Sequence, residues 1–346
     1  MAKRISVVPA TEWLSRLAAL RAGTANPSYI KAFYSSLVDA VTTDPALAAV
    51  PIDDHMVHRG HAVFDTCTLA NGRLYRLRTH LDRLLSSAVG AKITPPFGRD
   101  RMESIILQTA AASGMREGSV RYWLGSGPGD FSFVPDACIT STFYCAVFEG
   151  SVVGQQPALG QPPPGVCDVT VRDVPLKPEA LGSIKTNNYL LNCLTAMRAR
   201  ELGGTFGILI DEKGFIAESC VLNASFVIVS PDSSKTLVTP TFERALNGTT
   251  VRQIMALSAS LVSLGVVDKV EQRRIPEQEA RTAAEVFLTG GDTHIYAITK
   301  WDDRQVGDGQ VGPVATAALS ILEQEAWYGS SEHLDVPYPK AGETHL

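Results

Sequence analysis

His61-Ala-Val-Phe-Asp-Thr-Cys-Thr-Leu-Ala-Asn-Gly-Arg-Leu-Tyr-Arg-Leu-Arg-Thr-His-Leu-Asp-Arg83 is the stretch on which the fold turns. Its first part predicts a strand near 61–69 and a second near 73–77. Asn71-Gly72 lies between them, and an Asn-Gly pair between apolar runs is a strong hairpin signal. Leu81, Leu84, Leu85 and Ala88 then recur at helical spacing, which predicts a helix over 79–90 with Thr79 as its N-cap. A strand that turns back on a strand before any helix does not fit an alternating βαβ sheet. An α+β fold with antiparallel pairing fits it.

Working outward, the pattern predicts a helix over 99–114 and strands near 118–125 and 139–149. Gly154-Gln-Gln-Pro-Ala-Leu-Gly-Gln-Pro-Pro-Pro-Gly165 follows, with four prolines, three glycines and no apolar period. It reads as a linker, 154–165, between a small N-terminal α+β domain, 1–153, and a larger C-terminal domain, 166–346. Beyond it we expect a strand (167–174), a helix (187–202) and a hairpin (206–211 with 215–218). A strand (224–230), a helix (249–264), a strand (285–289) and a last helix (313–325) complete the series. Near the N-terminus Trp13, Leu14, Leu17 and Leu20 suggest a surface helix.

The 346 residues are 45% hydrophobic and 19% charged, a globular balance that excludes collagen-like and disordered chains. A net charge of −5 offers no footprint for nucleic acid. No apolar run reaches the roughly 18–20 residues of a membrane span, and Lys3 and Arg4 precede no apolar core of a secretory signal. The six cysteines form no CxxC pair and no zinc spacing, so no metal is expected. They read as buried, reduced thiols of a cytoplasmic protein, with a short organelle-targeting remnant at the N-terminus as the alternative. Gly125-Ser-Gly-Pro-Gly129 opens no helix and does not make a dinucleotide-binding loop.

Five segments could carry chemistry, and each has a plainer reading. Arg83, beside the apolar face of helix 79–90, is either an inward phosphate ligand or half of a surface ion pair. Lys185, among Leu181, Ile184 and Leu190, is either a nucleophile of reduced proton affinity or a snorkelling surface lysine. Glu218 either meets a cation or a protonated ring nitrogen, or faces solvent at a strand end. Gly248, Thr249 and Thr250 open a long helix, which suits an anion or an ordinary cap. Gly290-Gly291 either lets backbone N–H groups approach a ligand or makes a plain turn.

In that order and spacing these signals resemble the fold type IV enzymes that use pyridoxal 5′-phosphate (PLP). The family includes branched-chain aminotransferases, D-amino acid transaminases, (R)-amine transaminases and aminodeoxychorismate lyases. The resemblance runs from about Asp53 to about Val311 and is nearest to the plant-type D-amino acid transaminases. It rests on Asp53-Asp-His-Met-Val-His-Arg-Gly-His61, Val63-Phe-Asp-Thr66 and Val120-Arg-Tyr-Trp-Leu124. Gly127-Pro-Gly-Asp-Phe131 and Ile298-Thr-Lys-Trp-Asp302 add to it.

The resemblance implies a two-domain fold, a small N-terminal domain and a larger, barrel-like C-terminal one, with PLP in the cleft. Lys185 would bind PLP covalently and move the substrate proton, and Glu218 would face the pyridine nitrogen. Arg83, Thr250 and the backbone at Gly248 and Thr249 would hold the phosphate. Gly291 stands where relatives often carry a hydroxyl residue, so only its backbone could donate. Tyr189 would contact the cofactor's ring oxygen. For the substrate, Arg121 would bind a carboxylate, and Phe64 replaces the tyrosine of the bacterial D-amino acid carboxylate trap; Asp292 is the third candidate. The implied reaction is ping-pong transfer from a D-alanine-like amino acid to a 2-oxo acid, in a homodimer. A 4-amino-4-deoxychorismate lyase and a branched-chain L-transaminase are the alternatives.

Overall fold

The Asn71-Gly72 turn closes a hairpin between the strands Ala62–Ala70 and Arg73–Tyr75. Both turn residues have positive φ, 50° and 76°, as the twist of a two-residue hairpin loop requires. The structure, a computed structural model, describes residues 5–150, 157–329 and 331–340.

The hairpin belongs to a seven-stranded antiparallel sheet. Its order is His333–Asp335, Arg73–Tyr75, Ala62–Ala70, Gly118–Gly125, Thr142–Phe148, Ile30–Ser35 and Ala40–Thr42. The helices Leu77–Gly90 and Arg99–Ser113 supply Leu81, Leu84, Ala88, Met102 and Ile106 to its core, against Val63, Val120, Leu124 and Phe143. Period-2 alternation on the strands meets period-3.6 repetition on the helices, so one apolar layer serves both.

A second sheet runs Lys269–Gln272, Lys235–Thr239, Asn223–Val229, Glu285–Gly290, His294–Trp301 and Arg304–Gln305, with Gly165–Asp168 parallel to His294–Trp301. On one face Ile254, Leu261, Val314 and Leu322 pack against Val227, Leu237 and Phe287. They come from the helices Thr249–Ala256, Ser258–Ser263 and Pro313–Glu323. On the other face Ile208 and Ile216 pack against Phe226, Val238 and Leu288. They come from a small sheet of Ile216–Ser219, Ile208–Ile210 and Thr170–Val171. The α+β expectation therefore holds. The barrel-like form expected of the second half is three layers around an open sheet, with no closed barrel among the described residues.

Several expectations shift. The helix expected at 79–90 begins at Leu77, capped by the backbone of Arg76 at φ 54°. Thr79 is not its cap; its hydroxyl donates to Glu332 instead. The helix expected at 187–202 is Leu190–Glu201. The one expected at 249–264 is interrupted at Leu257. The strand expected at 167–174 divides, because Asp168 Oδ1 gathers the N–H groups of Val169, Phe206 and Gly207 and turns the chain from one sheet to the other. His294–Trp301 was not expected; nearly all its residues are buried, so it lacks the alternation that marks a half-buried strand. The strand His333–Asp335 lies beyond the expected start of the second half, yet it edges the first sheet. Of the expected linker, 154–156 fall outside the described residues. All six cysteines are free thiols; Cys67, Cys145 and Cys220 are buried as expected, whereas Cys167 and Cys193 are exposed and Cys138 partly so. The helix Ala10–Ala22 forms and buries none of its residues.

Candidate active site

A cavity of about 460 Å³ opens where the first sheet meets the second. Ten of the expected residues line it: Phe64, Arg83, Arg121, Lys185, Tyr189, Gly248, Thr249, Thr250, Gly291 and Asp292. Glu218 lines a small adjoining cavity that shares Tyr189, Asn223 and Leu246 with the large one. Residues more than 200 positions apart thus share one site.

Lys185 is fixed through its backbone. Its carbonyl accepts the Phe64 N–H (2.9 Å), and its own N–H donates to Ser87 Oγ (3.2 Å). Nζ lies 4.8 Å above the Phe64 ring and 3.5 Å from the Tyr189 hydroxyl. Among the described residues no carboxylate pairs with it. Desolvation by the cavity walls, with the positive charges of Arg83, Arg121 and Lys177 adding to it, pushes its pKa down to about 7. The surface-lysine reading is excluded.

Glu218 sits in the strand Ile216–Ser219, buried rather than facing solvent. Its Oε2 accepts the Leu246 N–H at 2.9 Å, and its other oxygen has no hydrogen-bond partner among the described residues. Burial pushes its pKa up to about 7, against the pull of that N–H and of Lys177 and Lys185.

Gly248 caps the helix Thr249–Ala256. A Cβ there would lie 1.9 Å from Asn223 Oδ1, so a larger residue would push the Asn223 side chain off this wall. The Thr250 hydroxyl is buried and has no hydrogen-bond partner among the described residues. A buried donor without a partner costs about 1–3 kcal/mol. A phosphate at this helix start, where N–H groups and the dipole favour an anion, would satisfy it. The residues therefore fit PLP: an amine without a carboxylate partner, a carboxyl with one oxygen to spare and an anion cup with an orphaned hydroxyl.

Arg83 points inward, as its phosphate reading required, but it also forms an ion pair. Nε and Nη2 each meet one oxygen of Asp65 at 2.7 Å, a bidentate fork that leaves Nη1 for the cavity it lines. Asp292 lines the cavity with its carboxylate already taken. Oδ1 meets His80 Nε2 at 2.6 Å, and Oδ2 accepts the Thr68 N–H at 2.9 Å. Arg121 differs: among the described residues its one side-chain hydrogen bond is from Nε to Thr66 Oγ1 (2.9 Å), and it stacks 4.9 Å over Phe64. Burial lowers its pKa, and a carboxylate ligand would offset that cost.

Four residues escaped sequence reasoning. Asp65 and His80 stood in the quoted stretches, and the His80-x-x-Arg83 spacing puts two bases on one helix face. Lys177, with Nζ 4.4 Å over the Tyr189 ring, and the cavity residue Tyr29 carried no signal in the chain. Among the described residues no cluster of His, Cys, Asp and Glu could hold a metal, and no helix is long and apolar enough to cross a membrane.

Comparison with known proteins bears on this geometry. Residues 62–301 match the model of the family described as amino-transferase class IV. The chain is 41% identical over 308 residues to the chloroplastic D-amino-acid transaminase of Arabidopsis thaliana, covering 89% of this chain and 80% of that one. It is 25% identical to the D-alanine aminotransferase of Listeria monocytogenes, over 80% of this chain and 91% of that one. In fold it resembles the branched-chain amino acid aminotransferase of Thermobaculum terrenum in its PLP form. The TM-score is 0.73 at 19% identity, covering 88% of this chain and 96% of the other. The matched span holds Arg83, Lys185, Glu218 and both glycine turns of the cavity, and with it the chain belongs to the class IV aminotransferase family.

Proposed function

We propose that the chain is a PLP-dependent transaminase that moves the amino group of a D-amino acid to a 2-oxo acid. The observation that carries the reading is Lys185, a cavity lysine with no carboxylate partner among the described residues and a pKa near 7. At that pKa about half of its amine is free at neutral pH, whereas a pKa near 10.4 would leave roughly one part in a few thousand. The likeness to the Arabidopsis enzyme supports the D-amino acid. When bound, PLP supplies an electron sink for the bonds at the substrate Cα.

The chain's residues divide the remaining work. Lys185 would be the nucleophile that binds the cofactor and the base that moves a proton between the substrate Cα and the cofactor's C4′. Glu218 would hold the pyridine nitrogen and could exchange a proton with it; its pKa near 7 and single N–H partner suit that role. Arg83 Nη1, the Thr250 hydroxyl and the N–H groups of Gly248, Thr249 and Gly291 hold the phosphate. Tyr189, beside Lys185 Nζ, would hold the ring oxygen. Arg121, stacked on Phe64, takes the substrate carboxylate. Asp292 shapes the cavity and does not meet the substrate as a free carboxylate.

The enzyme acts on this reading as a homodimer of two-domain protomers, divided near 154–165. Exposed Phe131, Phe133 and Ile139 between the strands Gly118–Gly125 and Thr142–Phe148 support an interface there. A cytoplasmic location stays our reading, with the chloroplastic relative as the argument for an organelle.

The test is the absorbance of the PLP-loaded protein when D-alanine is added without a 2-oxo acid. The band of the lysine-bound cofactor should give way to that of the pyridoxamine form, and Lys185→Ala should abolish the change. A cofactor band that ignores D-alanine and yields to an L-amino acid, or pyruvate release from 4-amino-4-deoxychorismate, would overturn the proposal.

A further inference from the structure

The helix Leu77–Gly90 and its cap present Arg76, His80 and Arg83 at intervals of four and three residues, one face of a helix. All three reach across to the phosphate cup or to its supports. Arg76 Nη1 donates to the Thr249 carbonyl at 3.1 Å, in the first turn of the helix that Gly248 caps. His80 Nε2 meets Asp292 Oδ1 at 2.6 Å, in the Gly290-Gly291-Asp292 turn, while its Nδ1 meets Asp65 Oδ1 at 3.0 Å. Arg83 clasps the same Asp65.

Both anchored turns need holding. Gly291 and Asp292 have φ of 52° and 67°, and aspartate adopts the left-handed conformation where its short side chain is held by hydrogen bonds. His80 supplies such a bond, fully buried. With a carboxylate on either side, the imidazole's pKa is raised in spite of desolvation, the two negative charges outweighing burial. Asp292 in turn is held below its ordinary range, His80 overcoming its burial. Arg76 is itself set by the chain's C-terminal stretch: its N–H donates to the Glu332 carbonyl at 3.0 Å. The neighbouring Tyr75 hydroxyl meets Glu325 Oε2 at 2.8 Å, and the same oxygen accepts from Gln253 of the cup helix at 2.7 Å.

We propose that Arg76 and His80 are positioning residues for the phosphate cup: Arg76, outside the cavity lining, fixes the Thr249 turn, and His80, part of the cavity wall, fixes the Gly291 turn through Asp292. The inference rests on the PLP reading above. It makes the cup a joint product of the first sheet's helix and the second sheet's loops. Recognition of the phosphate then depends on these two side chains, whereas capture of the aldehyde by Lys185 does not.

The experiment compares PLP with pyridoxal, which has the aldehyde and lacks the phosphate. Dissociation constants are measured on the apoprotein for the parent, Arg76→Gln, His80→Gln and Asp292→Asn, the last approaching the His80 bond from its other end. The preference for PLP over pyridoxal should fall at least tenfold in each variant, with pyridoxal affinity within about twofold of the parent. Arg76→Lys, which keeps a cation near the Thr249 carbonyl, should recover part of it. An unchanged preference, or an equal loss for both ligands, would overturn the inference. A parent that captures neither aldehyde would instead refute the PLP reading. The inference would then be read from inorganic phosphate, whose protection of the parent against heat should be lost in the variants; equal protection overturns it.

Discussion

The two sides of the cavity are built on opposite electrostatic terms. On the side of the first sheet, the charges around Asp65 and Asp292 are saturated, Arg121 being the exception kept for the substrate. Asp65 accepts from Arg83 through both oxygens and from His80, and Asp292 takes the far nitrogen of the same imidazole. Arg83 and His80 hold Asp65 far below the usual carboxylate range in spite of its burial. On the side of Lys185 and Glu218 the charges are left short of partners, and burial drives the amine and the carboxyl from opposite directions to about 7. Groups whose bonds are complete keep one protonation state and serve as framework. Groups left incomplete near neutral pH can exchange protons with a ligand. The difference assigns structure to the first side and chemistry to the second.

Asp65→Asn breaks the framework side and should have the larger effect. It leaves Arg83 and His80 buried with half their countercharge, and removing one member of a buried pair costs about 3–5 kcal/mol. Urea denaturation of the apoprotein at pH 7 reads this directly. The sign with pH also follows. A carboxylate whose folded pKa is depressed contributes stability that is present above its unfolded pKa, about 3.9, and is lost as pH falls below it. The gap between parent and variant should therefore close in acid. A gap that stays constant, or a variant as stable as the parent at pH 7, would place the framework elsewhere.

Thr250→Val sharpens the other half of the contrast with a smaller effect of opposite sign. The substitution removes a hydroxyl that is buried without a partner among the described residues. The apoprotein should keep its stability or gain about 1 kcal/mol, while PLP should bind about tenfold more weakly, or 1.4 kcal/mol. Thermal denaturation without ligand and a PLP titration together decide it. Destabilised apoprotein with unaltered PLP affinity would mean that the hydroxyl serves the fold and not the ligand.

How much of this was legible in the chain depends on the range of each interaction. The Asn71-Gly72 hairpin, the strand Gly118–Gly125 and the helix Arg99–Ser113 are local, and their patterns declare them. The candidate residues Lys185, Glu218 and Thr250 were visible as residue types in suggestive settings, but only their common order, matched to a family, joined them. Their shared cavity is a property of the folded chain. The partners were not legible at all. Arg76 and Thr249 are 173 positions apart, and His80 and Asp292 are 212 apart. No periodicity spans such a distance, so Arg83 read as either a phosphate ligand or half of a surface ion pair, whereas it is inward and Asp65 already holds two of its nitrogens. Likewise Asp292 read as a substrate contact because its bond to His80 exists only after the sheets meet.

Lys177 rivals Lys185 as the reactive amine: it too is drawn below its usual pKa by burial, and it lines the Glu218 cavity. The deciding measurement is the initial rate at which the apoprotein captures PLP across pH 5–9, trapped with cyanoborohydride, followed by mapping of the labelled peptide. Because only the unprotonated amine attacks, capture should rise about tenfold per pH unit below 7 and level off above it. The phosphopyridoxyl group should be found on Lys185 alone. Label on Lys177, or capture by Lys185 that keeps rising toward pH 9, would contradict the assignment.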